Sequence, residues 1–181
     1  CEAATEAGVR RIVFTSSVAV YGFSSVELDE AAPTRPFNDY GRTKLEAEAV
    51  YEAWQRDDPA RTLVIVRPTV VFGEGNRGNV YNLVRQVASG AFVMVGAGTN
   101  QKSMAYVENV AACLEWSLTL RAGRHLFNYA DKPDLDTNTL VATVRSALGR
   151  SPRPRFRLPL TAGLLAGHAC DLVARVTGQK F

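Results

Sequence analysis

In the stretch DYGRTK, Asp39 to Lys44, a tyrosine stands four residues before a lysine. On a helix that spacing puts both side chains on one face. A phenol with an ordinary pKa of about 10 moves protons poorly at neutral pH, so a catalytic tyrosine needs its anion stabilised. An ammonium one helical turn away does this by favouring the charged form of Tyr40. The pair alone is weak: with six tyrosines and the lysines Lys44, Lys102, Lys132 and Lys180, chance supplies it in roughly one chain of this length in eight. Two residues sharing a packing face is the competing reading.

The elements that must position the pair can be read on either side of it. RIVFTSS, Arg11 to Ser17, is β-branched and aromatic and reads as a buried strand of a parallel sheet. A helix is expected from Tyr40 to Trp54, stopped by DDP at Asp57 to Pro59, and TLVIVRP (Thr62 to Pro68) is the clearest buried strand. Strand, helix, strand in this order is a right-handed parallel βαβ unit. Open α/β sheets collect ligands at the C-terminal ends of their strands, where TSSVAVYG (Thr15 to Gly22) places its hydroxyls. Ser17 and Tyr40 are therefore expected at one rim. With Lys44 they form an apparatus for moving a proton on a substrate hydroxyl or carbonyl oxygen.

The remaining segments follow the same α/β pattern. Residues 2–7 suit a helix closed by Gly8, and VAVYGFSSVELDEAAPTRPFND is a long turn-rich loop. After the glycine-rich VFGEGNRGN come a helix over 80–89 and short strands over 92–95 and 103–106 flanking VGAGTNQ. A helix over 108–119, a strand over 124–129 and a helix over 135–148 capped by Asp134 or Asp136 complete the series. VMVGAGTNQ starts like a dinucleotide fingerprint, but Gln101 holds the third glycine position and a strand follows, so a hairpin turn is expected. Arg67 and His125 read as structural residues of strands, and His168 as structural on a last helix.

Composition narrows the class. The 181 residues are 46% hydrophobic and 22% charged, as in ordinary globular chains. The net charge of +3 is interspersed, and its one local excess, SPRPRFR at Ser151 to Arg157, is too short for a nucleic-acid stripe. Cys1, Cys113 and Cys170 show no metal-ligand or CxxC spacing, so a reducing, cytoplasmic setting without structural zinc is expected. The most apolar segment, Leu158 to Val176, is interrupted by His168, Asp171 and Arg175 and reads as a packed helix, not a membrane span. The start at Cys1, in what reads as the end of a helix, suggests a piece of a longer protein.

Taken in register, strand-TSSxxVYG, YxxxK about two dozen residues on, and a strand ending RPxxVFG resemble the extended short-chain dehydrogenase/reductase family, particularly its nucleotide-sugar epimerases. The resemblance covers essentially the whole chain. It implies a partial Rossmann-like, doubly wound parallel sheet over residues 1–72 and a smaller α/β substrate-binding part over 73–181, with about 104–131 returning to the core. It makes Tyr40 the acid/base, with Lys44 anchoring the nicotinamide ribose and Ser17 bonding the reacting oxygen. Thr15, Ser16 and Pro68 would flank NAD or NADP, while Asn79 and Lys102 would meet the diphosphate of a nucleotide sugar. Asn79 as a helix cap and Lys102 as a solvated hairpin charge are the competing readings.

Val18 and Ala19 stand where the family's dehydratases carry an acidic pair, which disfavours dehydration. The family's glycine-rich cofactor loop is not in the sequence, so little activity is expected of this piece alone. The resemblance allows a homodimeric parent protein. Two alternatives remain open: a reductase of a steroid-like or other small carbonyl compound, and a non-catalytic sensor or assembly subunit.

Overall fold

A computed structural model describes residues 1–24, 26–154, 156–165 and 167. Cys170, His168, Asp171, Arg175, Lys180 and Phe181, with most of the apolar segment beginning at Leu158, lie outside the described residues. In chain order the elements are α1 (Glu2–Glu6), β1 (Arg11–Thr15), α2 (Asp39–Arg56), β2 (Thr62–Pro68), β3 (Val70–Phe72), α3 (Asn79–Ser89) and β4 (Val93–Val95). There follow β5 (Gln101–Tyr106), α4 (Val107–Ser117), β6 (Gly123–Tyr129), β7 (Asp131–Asp136), α5 (Thr137–Ala147) and β8 (Phe156–Leu158). The fold is α/β with parallel sheets, and it divides into two compact units.

The first unit comprises Cys1–Gly75 and Ser103–Lys132. Its three-stranded sheet runs β1-β2-β6, parallel throughout. β2 is central and every residue of it is buried, with Leu63, Val64, Ile65 and Val66 fully enclosed. Each such side chain contributes about 1.5–3 kcal/mol by leaving water, so β2 anchors the unit. β1 departs from the expected buried strand: it is half-buried, because it lies at the edge of this sheet with β2 on one side. The α2 helix begins where Asn38 accepts from the Gly41 N–H at 2.8 Å.

Beyond β2 the chain enters a second sheet, ordered β3-β5-β7, so RPTVVFG is not one strand. β3 pairs with β5 in parallel, Val70 opposite Met104 and Phe72 opposite Tyr106. β7, DKPDLD, carries neither alternation nor β-branched residues, which is why local pattern does not announce it as a strand. Its start is held by Asp131, whose carboxylate accepts from the Tyr106 N–H at 2.7 Å and from Asn109 and Tyr129 at 3.1 Å each.

The second unit comprises Asn76–Lys102 and the chain from Pro133 onward. Val87 of α3, Met94 of β4 and Val141 of α5 form its core, with Leu83, Phe92 and Val144 packed against them. The expected hairpin around VGAGTNQ does not form: β4 pairs in parallel with β8, and β5 belongs to the β3-β5-β7 sheet. Gly96 and Gly98, at φ +73° and +70°, turn the chain from one sheet to the other. The turn then holds the start of α5, where Asn138 donates to Gly98 and Ala97 carbonyls at 3.0 and 2.9 Å. Asp136, one of the two expected caps, accepts from Thr139 N–H at 2.7 Å. Among the described residues no helix is long and apolar enough to cross a membrane.

The Tyr106 N–H, opposed by burial and aided by Asn109 and Tyr129, holds the Asp131 carboxyl below its ordinary range. A folded value below the unfolded one of about 3.9 stabilises the fold fully above about pH 4, and that contribution is lost as pH falls through the folded value. Melting temperature measured down an acid series should therefore fall below about pH 4, and fall less steeply in Asp131→Asn. Parallel curves for the two proteins would remove Asp131 from the acid response.

Candidate active site

The site begins where β1 runs out. Ser16 N–H continues the ladder to the Val66 carbonyl at 2.7 Å, and its side chain is buried. Ser17 then leaves the sheet in an extended conformation and caps a single 3-10 turn, Val18–Val20, accepting from the Ala19 N–H at 3.1 Å. A hydroxyl used this way as acceptor keeps its own O–H to donate.

Across from this turn lies the start of α2. Lys44 Nζ donates to the Thr15 carbonyl at 2.9 Å, stands 5.1 Å from the Phe14 ring centroid and 5.9 Å from that of Tyr40. The lysine thus ties the helix to the end of β1 and sets its charge beside the tyrosine, whose side chain is 55% exposed and open to a ligand. The close approach depends on the glycine between them. A Cβ on Gly41 would sit 2.5 Å from the Ala19 carbonyl oxygen and 3.0 Å from Pro36 Cβ, so no larger residue fits without moving the helix.

The same helix is fixed one turn further on. Tyr40, Lys44 and Glu48 form an i, i+4, i+8 stripe, and Glu48 is buried against Arg67 of β2. Arg67 donates to both carboxylate oxygens, Nε at 2.9 Å and Nη2 at 2.5 Å, and a third N–H reaches the Tyr21 hydroxyl at 2.6 Å. The Tyr21 O–H in turn donates to Asn128 Oδ1 of β6 at 2.8 Å. Burial alone lowers the Arg67 pKa, but the bonds to Glu48 and Tyr21 outweigh it and leave the guanidinium raised and charged. Arg67 is structural, as its strand position suggested. The sequence signal for Glu48 was its place on the Tyr40–Lys44 stripe, and for Gly41 a poor helix former inside a helix.

Of the other expected residues, Pro68 is buried at the end of β2. His125 Nε2 bonds the Arg121 carbonyl at 3.0 Å and is satisfied within the fold. Asn79 and Lys102 belong to the second unit, and both are exposed. The cap of α3 is Gly78 without a side-chain bond, so capping does not account for Asn79. Lys102 lies on β5, not in a hairpin.

Two buried hydroxyls, Ser16 Oγ and Thr69 Oγ1, have no hydrogen-bond partner among the described residues. They lie just beyond the C-terminal ends of the neighbouring strands β1 and β2. A buried hydroxyl without a partner costs about 1–3 kcal/mol, so this rim is chemically suited to a polar ligand such as a dinucleotide.

The model of the NAD dependent epimerase/dehydratase family matches residues 1–130, and the chain belongs to that family. It is 50% identical over 176 residues to N-acetyl-alpha-D-glucosaminyl-diphospho-ditrans,octacis-undecaprenol 4-epimerase of Escherichia coli O157:H7, covering 96% of this chain and 53% of the relative. It is 31% identical to UDP-glucose 4-epimerase of Vibrio cholerae, covering 97% of this chain and 55% of the relative. Among solved structures, MoeE5 in complex with UDP-glucose and NAD superposes with a TM-score of 0.72 at 28% identity, over 87% of this chain and 54% of that one. The chain spans about half the length of the curated relatives it matches.

Removing one partner of a buried ion pair costs about 3–5 kcal/mol, whereas replacing both with apolar residues is often neutral. Glu48→Ala should lose stability on that scale in urea titration, and Glu48→Leu with Arg67→Met should recover much of it. Equal losses in both would show that the pair itself is not what holds α2. Gly41→Ala should cost about 1–3 kcal/mol by overpacking; unchanged stability would mean that α2 backs away from Ala19 freely.

Proposed function

We propose that the protein is an NAD-dependent epimerase that inverts a ring carbon of a diphosphate-linked sugar through a transient ketone. The observation carrying this reading is Lys44, bonded to the Thr15 carbonyl at 2.9 Å beside Tyr40 and close to the Ser17 turn. Ser17 donates its O–H to the reacting sugar oxygen. Tyr40, as phenolate, takes the hydroxyl proton while the ring carbon gives up hydride and the C–O bond becomes C=O. On the return step Tyr40 gives the proton back, so substrate and product are isomers. Lys44 supplies positive charge beside the phenolate and binds the cofactor ribose. NAD, where bound, would supply a hydride acceptor and donor, so that the hydride lost from the ring carbon could be restored on its other face. Thr15, Ser16 and Pro68 flank the nicotinamide in this reading, and Asn79 and Lys102 contact the diphosphate.

NAD, not NADP, is the cofactor bound in the MoeE5 complex, which supports NAD here. The carrier has two readings. The Vibrio cholerae relative is named for UDP-glucose, a nucleotide carrier. The Escherichia coli relative, the more similar of the two, is named for an undecaprenol carrier. Both carriers present a diphosphate, which Asn79 and Lys102 suit equally.

Replacing the proton-transfer group should cost about 10²–10⁴-fold in turnover. Tyr40→Phe in the full-length protein, assayed with NAD against a panel of nucleotide-diphosphate and polyprenyl-diphosphate sugars, should therefore lose epimer interconversion on that scale. Unchanged interconversion in Tyr40→Phe refutes the proposed chemistry.

A further inference from the structure

We propose that the second unit carries a docking groove for the isoprenoid chain of a polyprenyl-diphosphate-linked sugar. This rests on the epimerase reading and chooses between its two carriers.

The groove encloses about 890 Å³ between the Val95–Asn100 turn and residues 157–160. Its construction follows from the β4–β8 pairing, which sets Val95 beside Leu158. The helical residues 160–165 then lie against β4: a Cβ on Gly163 would meet Val95 Cγ1 at 2.3 Å. Glycine there brings the helix close enough for Leu160 to form the groove's far wall. Leu160 and Leu164, four residues apart on one helix face, are 58% and 55% exposed, and Leu165 is 71% exposed. Val93, Val95 and Leu158 on the two strands are exposed as well. So many large apolar side chains open together, in one small unit, mark a contact surface for an apolar partner.

One wall is cationic. Arg157 lines the groove and is held in place by bonds to Asn138 Oδ1 at 2.9 Å and to the Ala97 carbonyl at 3.3 Å. A guanidinium has five N–H donors, so the remaining ones are available to an anion. The β8 strand also continues the basic run SPRPRFR. An apolar trough with a fixed cation in its wall complements an amphiphile with an anionic head, and a phosphorylated polyprenol has that chemistry. The purely aliphatic Val95, Leu158, Pro159 and Leu160 offer a nucleoside no stacking ring. The match to the undecaprenol-linked 4-epimerase covers 96% of this chain.

The test uses the full-length protein with NAD in detergent, and two exposed-site variants, Leu160→Asp and Leu164→Asp. Binding of undecaprenyl diphosphate and of geranyl diphosphate is measured by equilibrium dialysis. Epimerisation is measured on undecaprenyl- and geranyl-diphosphate-linked N-acetylglucosamine. The wild type should prefer the long chain, and each variant should cut that preference about tenfold, the scale of one leucine's burial. Binding of the geranyl compound should fall less than binding of the long chain. No preference in the wild type, or a preference that survives both substitutions, overturns the proposal and assigns the groove to the protein's own packing or to a second copy. If the long chain binds through these leucines but no sugar is interconverted, the groove stands and the epimerase reading falls.

Discussion

The buried ion pair between Arg67 and Glu48 sets where everything else in the first unit can be. Its strand partner is in β2, the most deeply enclosed element, and its helix partner is two turns beyond Tyr40 on the same face. Two charges taken out of water persist only when their donors and acceptors are satisfied. Here both carboxylate oxygens and a third N–H of the arginine are bonded, the last through Tyr21 to Asn128 on β6. One network therefore joins the helix of Tyr40 and Lys44, the segment after Ser17 and the strands β2 and β6. The helix cannot rotate or slide along the sheet without leaving a buried charge unpaired.

Against that fixed helix, the residues proposed to transfer the proton are placed by small residues and backbone, not by further packing. Gly41 lets α2 meet the Ala19 carbonyl, and Ala19 in turn gives its N–H to Ser17. Lys44 reaches back to the Thr15 carbonyl, so its position is set by the end of β1 as well as by its own helix. Precise placement of such groups is worth far more to a rate than their mere presence, since an error of about an ångström costs on the order of a hundredfold. The exposed ring of Tyr40 and the buried hydroxyls of Ser16 and Thr69, which have no partner among the described residues, are the parts of this rim left to a ligand.

The second unit is built on different terms. Its core is a short aliphatic cluster of Val87, Met94 and Val141, and its two-stranded β4–β8 sheet leaves large apolar side chains in water. Such a surface is where the lipid carrier was proposed to dock.

Local pattern determined a good deal of this protein. TLVIVRP had to be an enclosed strand because it is apolar on both faces, and the spacing of Tyr40, Lys44 and Glu48 had to give one helix stripe. TSSVAVYG, YxxxK and RPxxVFG in register carried the family, which the match over residues 1–130 shows. What the sequence left open are the pairings between distant segments. DKPDLD has no alternation to announce a strand and FRL is only three residues long, so both are strands because partner strands accept their backbone. VGAGTNQ, a hairpin by local turn chemistry, instead carries the chain between two sheets. The partner of Glu48, the reason for Gly41 and the groove beside Arg157 likewise depend on contacts between residues far apart in the chain, and such contacts exist only once the tertiary structure has closed.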